Sequence, residues 1–162
     1  MKILTIYSTL TGNTKMVAEV ISKYHNFDII NAKEFNDEMI NNYDKIIVGG
    51  WIDKGDIDTL SQKIIDKIKE KRVGYFFTLG ADPNSEHAKN IYQKIDDRFL
   101  KNNNKIENRF ACMGKIDPRL TEKMKQNTNP HHPWDEKRRK THEIASTHPD
   151  ENDLKNAIKA FN

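Results

Sequence analysis

The chain has 162 residues, 36% hydrophobic and 31% charged, with a net charge of +3; that is enough for one domain, too little for two, and polar without being disordered. No apolar run approaches the ~18 residues of a membrane span, and residues 1–2 lead straight into a strand-like run with no secretory signal before it. The single cysteine, Cys112, excludes an internal disulfide and any multi-cysteine zinc or iron–sulfur centre.

Residues 2–7 predict a first strand with Ile3, Leu4 and Ile6 buried; Val17, Ala18, Val20, Ile21 and Tyr24 then share one helix face at the 3.6-residue period. Residues 27–30 predict a short second strand, and the unbroken apolar run 45–48 suits a third, covered on both faces. Leu60, Ile64, Ile65 and Ile68 stripe the next helix, and residues 73–77 form a fourth strand. Ala88, Ile91, Tyr92, Ile95 and Phe99 stripe a further helix, with Ser85 suited to cap it. Three asparagines at 102–104 break the pattern before a fifth strand at 106–113. Leu154, Ala157, Ile158 and Phe161 give a last amphipathic helix, with Pro149, Asp150 and Glu151 suited to its first turn. Strands alternating with helices predict an α/β fold, a doubly wound five-stranded parallel sheet, as one domain over residues 1–162.

Residues 118–148 do not fit that alternation. A connection between strand and helix normally takes a handful of residues, so this stretch reads as an insertion before the last helix. It holds two short polar helical patterns around Pro130, His131, His132, Pro133 and Trp134. Residues 118–142 carry seven basic and three acidic side chains, so the basic excess of the chain is concentrated here. Four of the six histidines, His131, His132, His142 and His148, also lie in it. Uneven charge of this kind is compatible with a solvated face as well as with an anionic partner.

The strongest chemical signal follows the first strand directly: Ser8-Thr9-Leu10-Thr11-Gly12-Asn13-Thr14. Four hydroxyls, a glycine and an asparagine sit between a strand end and a helix start. In open α/β sheets ligands bind at the carboxyl ends of the strands, and a helix N-terminus presents unpaired N–H groups to an anion. The loop lacks the P-loop lysine and the G-x-G-x-x-G of dinucleotide sites, so a monophosphate cradled by neutral donors is the reading it favours. A simple N-cap with turn residues would need only one or two such side chains. Trp51, after Gly49 and Gly50, offers a flat apolar face either to a ring ligand or to the sheet. Thr78, Leu79 and Gly80 close the fourth strand at the same end.

With these residues, the run from Ile6 to Thr14 followed by Ala18 and Ile21 resembles the FMN-phosphate motif of the flavodoxin superfamily. The resemblance implies a 2-1-3-4-5 strand order and FMN held by Ser8, Thr9, Thr11, Gly12, Asn13, Thr14, Gly50, Trp51, Thr78, Leu79 and Gly80. Paired acids after the first strand, the mark of a receiver domain with the same topology, are replaced by Ser8 and Thr9. The strand-four loop lacks the second aromatic that many flavodoxins carry, which would leave one flavin face open.

The stretches 50–55, 78–80, 85–88 and 114–118, with the pair His132-Pro133, are similar to a flavodoxin-like subfamily found largely in anaerobes and represented in haem-uptake loci. That resemblance implies a helical cap at residues 118–148 that holds haem against the flavin, with His132 or His131 on the iron. It implies haem trafficking, receipt of a linear tetrapyrrole from a radical methyltransferase, and reduction of that tetrapyrrole by hydride from FMN hydroquinone. A reductase supplying electrons is a further implied partner; neither nucleic acid nor membrane is expected, and the implied location is cytoplasmic. The residues themselves allow Met124 and Trp134 as apolar wall and Arg138, Arg139 and Lys140 as partners of two propionates. They equally allow a surface loop with an incidental histidine pair. A one-electron carrier flavodoxin and a pyridine-nucleotide quinone reductase are the competing readings; no side chain is assigned as a catalytic nucleophile.

Overall fold

The parallel strands carry near-continuous apolar runs because both faces of their sheet are covered, and consecutive side chains alternate between two helical layers. The computed structural model describes residues 1–127, 130 and 133–162. Its strands are β1 (Ile3–Tyr7), β2 (Asp28–Asn31), β3 (Lys45–Asp53), β4 (Asp56–Ile57), β5 (Arg72–Leu79) and β6 (Lys105–Met113). Its α-helices are α1 (Asn13–His25), α2 (Thr59–Lys67), α3 (Glu86–Leu100), α4 (Pro118–Lys125), α5 (Glu136–Ala145) and α6 (Glu151–Ala160).

The sheet runs β2-β1-β3-β5-β6, all neighbours parallel. This is the expected 2-1-3-4-5 order, with the fourth and fifth parallel strands labelled β5 and β6 because a short strand intervenes. That strand, β4, pairs antiparallel with the end of β3 through Ile52–Ile57 and Asp53–Asp56. Two residues, Lys54 and Gly55, make the turn at φ +50° and +79°, the doubly left-handed geometry that suits the twist of a tight hairpin. The third strand is thus longer than its apolar run predicts.

Alternation sorts the core. Ile46, Val48, Tyr75 and Phe77 point to one face with Ile64, Ile65, Ile91, Ile95 and Phe99 of α2 and α3. Ile47 and Phe76 point to the other with Val17, Ala18 and Ile21 of α1, and Ala157 and Phe161 at the end of the chain. Cys112 belongs to this second layer at 2% exposure, and burial raises its thiol pKa, so it is a core side chain and not a reactive one.

Capping follows the expected chemistry. The Ser85 hydroxyl accepts from the Ala88 N–H at the start of α3, and Asp150 and Asp153 form a reciprocal capping box on α6. In the segment whose polar patterns predict two helices, α4 and α5 form, capped by Asp117 and Asp135.

Candidate functional site

The turn from β1 into α1 is built by Gly12, which takes φ +100° at the N-cap of α1, a conformation a side chain would strain. Its N–H donates to the Thr9 hydroxyl at 3.0 Å. No side chain caps α1, so the N–H groups of its first turn keep their partial positive character for a ligand. The Thr14 hydroxyl is buried and meets that of Thr78 at 3.0 Å, joining the start of α1 to the end of β5. The Asn13 amide donates to the Lys115 carbonyl at 2.8 Å, joining α1 to the loop after β6.

These strand ends open into a cavity of about 720 Å³, within the usual size for small-molecule sites. Thr9, Thr11, Asn13 and Thr14 line one side, with Trp51, Thr78, Leu79 and Gly80 beside them. The segment after β6 completes the lining: Ile116, beside Gly80, and Leu120 and Met124 supply apolar surface, while Lys137, Arg138 and His142 come from α5. Helices α4 and α5 therefore line the same space as the β1–α1 loop.

Three of the expected residues are placed elsewhere. Ser8 does not line the cavity; it is 6% exposed, and its hydroxyl donates to Asp58 Oδ2 at 2.6 Å. Gly12 shapes the loop without forming the wall. Gly50 is enclosed by Ile57 and Asp58, and an ideal Cβ there would lie 2.5 Å from Asp58 Oδ1. Gly49 is likewise dictated by packing, because its Cβ would fall 2.0 Å from the Phe76 ring. The glycine pair is thus required by side chains behind the sheet end.

Asp58 is the residue the sequence reading misses. At 3% exposure it accepts from the Ser8 hydroxyl, the Trp51 N–H (3.1 Å), and both the N–H and hydroxyl of Ser61. Its own N–H donates to the Trp51 carbonyl at 2.8 Å. One carboxylate thereby caps α2, ties down the end of β1 and fixes the backbone of the half-buried Trp51. Only its capping role has a sequence signal, an aspartate just before an amphipathic stretch.

In the part of the lining that α4 and α5 supply, the His142 Nδ1 lies 2.9 Å from the Thr121 hydroxyl, linking α5 to α4. Its ring packs edge-on against Trp134 at 4.8 Å. Burial, and then the charges of Arg138 and Lys125, lower its pKa, which favours neutral imidazole. Met124 and Arg138 line the cavity as expected, whereas Trp134, Arg139 and Lys140 do not. Arg139 instead pairs with Glu136 and Glu143 on its own helix. His131 and His132 lie outside the described residues.

A model of the flavodoxin domain matches residues 4–162. The chain belongs to the flavodoxin-domain family. The flavodoxin-like domain-containing protein BilS of Clostridioides difficile strain CD3 is 34% identical over 160 residues, covering 95% of this chain and 90% of that protein. Among solved structures, oxidised flavodoxin 2 from Bacillus cereus aligns with a TM-score of 0.62 at 16% identity, over 98% of this chain and 94% of its own. A flavodoxin from the domain Archaea aligns at 0.58 and 16% identity, over 91% and 98%; both likenesses concern the fold. The family implies FMN, and this flavodoxin-domain chain fits it. The uncapped start of α1 meets neutral hydroxyl and amide donors at one side of a cavity large enough for a flavin, with Trp51 in the same wall. No helix among the described residues is long and apolar enough to cross a membrane.

Proposed function

We propose that the protein is an FMN-dependent reductase whose acceptor, a linear tetrapyrrole, lies in the cavity between the flavin and helices α4 and α5. The observation that carries this reading is the shared space itself, lined by the β1–α1 loop and Trp51 together with Leu120, Met124, Arg138 and His142. Thr9, Thr11, Asn13 and Thr14 hold the phosphate by neutral donors backed by the first turn of α1. Trp51, clamped through its backbone by Asp58, lies along the ring. Bound FMN supplies hydride chemistry, so the protein positions the acceptor and excludes water and needs no nucleophile. The apolar side chains of α4 serve that exclusion. Haem is proposed as a second ligand of the same space, trafficked by the protein, with His132 and then His131 as the iron donors the resemblance implies. A radical methyltransferase supplying the tetrapyrrole and a reductase supplying electrons are the proposed partners.

The test uses protein loaded with FMN, reduced anaerobically and mixed with biliverdin. The expected result is bleaching of the biliverdin band in step with flavin reoxidation, absent with flavin-free protein. Thr11→Val is expected to weaken FMN more than riboflavin, since the lost hydroxyl faces the phosphate. Electron transfer to cytochrome c with biliverdin left unchanged would replace this reading with that of a one-electron carrier.

A further inference from the structure

Five of the six arginines in the chain are committed to carboxylates: Arg72 to Glu107, Arg98 to Asp56, Arg109 to Asp96, Arg119 to Asp117, and Arg139 to Glu136 and Glu143. Among the described residues the sixth, Arg138, has no carboxylate within ion-pair distance, and it alone of the six lines the cavity. It is half-buried, on the first turns of α5, and close enough to His142 to disfavour a second positive charge there. Its neighbour Lys137 also lines the cavity without an acidic partner among the described residues. Of the three acids that line the cavity, Asp117 holds Arg119 and caps α4, Asp135 caps α5 by accepting from the Arg138 backbone N–H, and Asp53, at the end of β3, is not within ion-pair distance of Arg138. A half-buried guanidinium with five donors and no acidic partner among the described residues, in the same lining as apolar Leu120 and Met124, is the counterpart of a carboxylate on a flat apolar molecule.

We propose that Arg138, supported by Lys137, is the carboxylate anchor that selects the acceptor and orients it in the cavity that α5 shares with the β1–α1 loop. This rests on the reading of the cavity as an acceptor site. It narrows the anion contact to one arginine of α5, since Arg139 is held by its own helix. The same guanidinium chemistry would serve the phosphate of the cofactor, and the experiment separates the two sources.

The experiment is equilibrium binding of biliverdin and of biliverdin dimethyl ester to the FMN-loaded protein, followed by absorbance, with FMN and riboflavin titrated separately into flavin-free protein. Arg138→Gln is expected to weaken biliverdin by about tenfold or more, to leave the ester and FMN unchanged, and to be partly rescued in Arg138→Lys. Arg139→Gln, which removes only exposed ion pairs, is expected to bind biliverdin as the wild type does. Unchanged biliverdin affinity in Arg138→Gln, or an equal loss for the ester, would overturn the anchor while leaving the reductase reading standing. A loss of FMN relative to riboflavin would assign Arg138 to the phosphate and overturn the anchor as well. Wild-type protein that binds neither biliverdin nor its ester would overturn the acceptor reading, and the anchor with it.

Discussion

Asp58 concentrates more of the site than any residue that touches the cavity, because one buried carboxylate serves Ser8, Trp51 and the N-terminus of α2 together. Removing a buried acceptor leaves each donor without water or partner, which costs more than the bond itself contributed. Asp58→Ala is therefore expected to lower stability by about 1–3 kcal/mol, read from the midpoint of urea unfolding. It should also weaken FMN and riboflavin alike, because the released Trp51 is the side chain proposed to contact the ring and not the phosphate. A flavin affinity equal to wild type would show that Trp51 is held in place without Asp58. At this same scale the hydroxyl-rich loop was legible in the sequence, whereas the direction of each hydroxyl was not. Ser8 and Thr9 are adjacent, yet strand alternation sends the first to Asp58 and leaves the second against the Gly12 N–H and the cavity.

At the scale of elements, β3 shows how a local pattern understates a strand. Its apolar run ends at Val48, but pairing with β5 continues through Gly49–Phe76, Gly50–Phe77 and Trp51–Thr78. The two glycines belong to the strand because large aromatic and aliphatic side chains fill the space where their own would stand. Gly49→Ala places a methyl against the Phe76 ring, which sits between β3 and Phe161 in a fully packed layer. The expected cost is about 1–3 kcal/mol, seen as a lower thermal midpoint; an unchanged midpoint would mean that the Phe76 ring can move aside. Helices α4 and α5 were legible as two short polar helical patterns, without their capping aspartates. Their place at the cavity was implied by the resemblance and not by the pattern, since nothing in a polar helical pattern states which face of the sheet end it will cover.

For the whole molecule, the two ends of the sheet have different chemistry. The carboxyl ends of the strands carry the cavity, while the opposite ends are tied by an ionic cluster. Glu107 on β6 accepts from Arg72 of β5 at 2.6 and 3.0 Å and pairs with the buried Lys45 of β3 at 3.1 Å; Lys45 also donates to Asn108. The Arg72 hydrogen bonds, with help from Lys45, hold the Glu107 pKa down at about 2. A carboxylate depressed in the folded state contributes stability above its ordinary range near pH 4.3 and loses it as pH falls toward 2. Unfolding midpoints measured from pH 5 to pH 2 are expected to fall more steeply for the wild type than for Glu107→Gln. Parallel curves would show that Glu107 does not drive acid unfolding.

What the sequence by itself determined is the order of strands and helices, the two-layered core and the anion-type loop after the first strand. Each of these is written in the period of apolar residues or in a few consecutive side chains, and burial acts on such patterns locally. The tertiary structure alone decided that Ser8 meets Asp58 fifty residues away, that Lys54 and Gly55 turn a short added strand back onto β3, and that Arg138 and not Arg139 reaches the cavity. The physical reason differs in detail but is tertiary in each case. Sheet packing brings Ser8 to a buried partner that no spacing along the chain connects, an antiparallel turn folds β4 onto β3, and the docking of α5 decides which arginine meets the cavity.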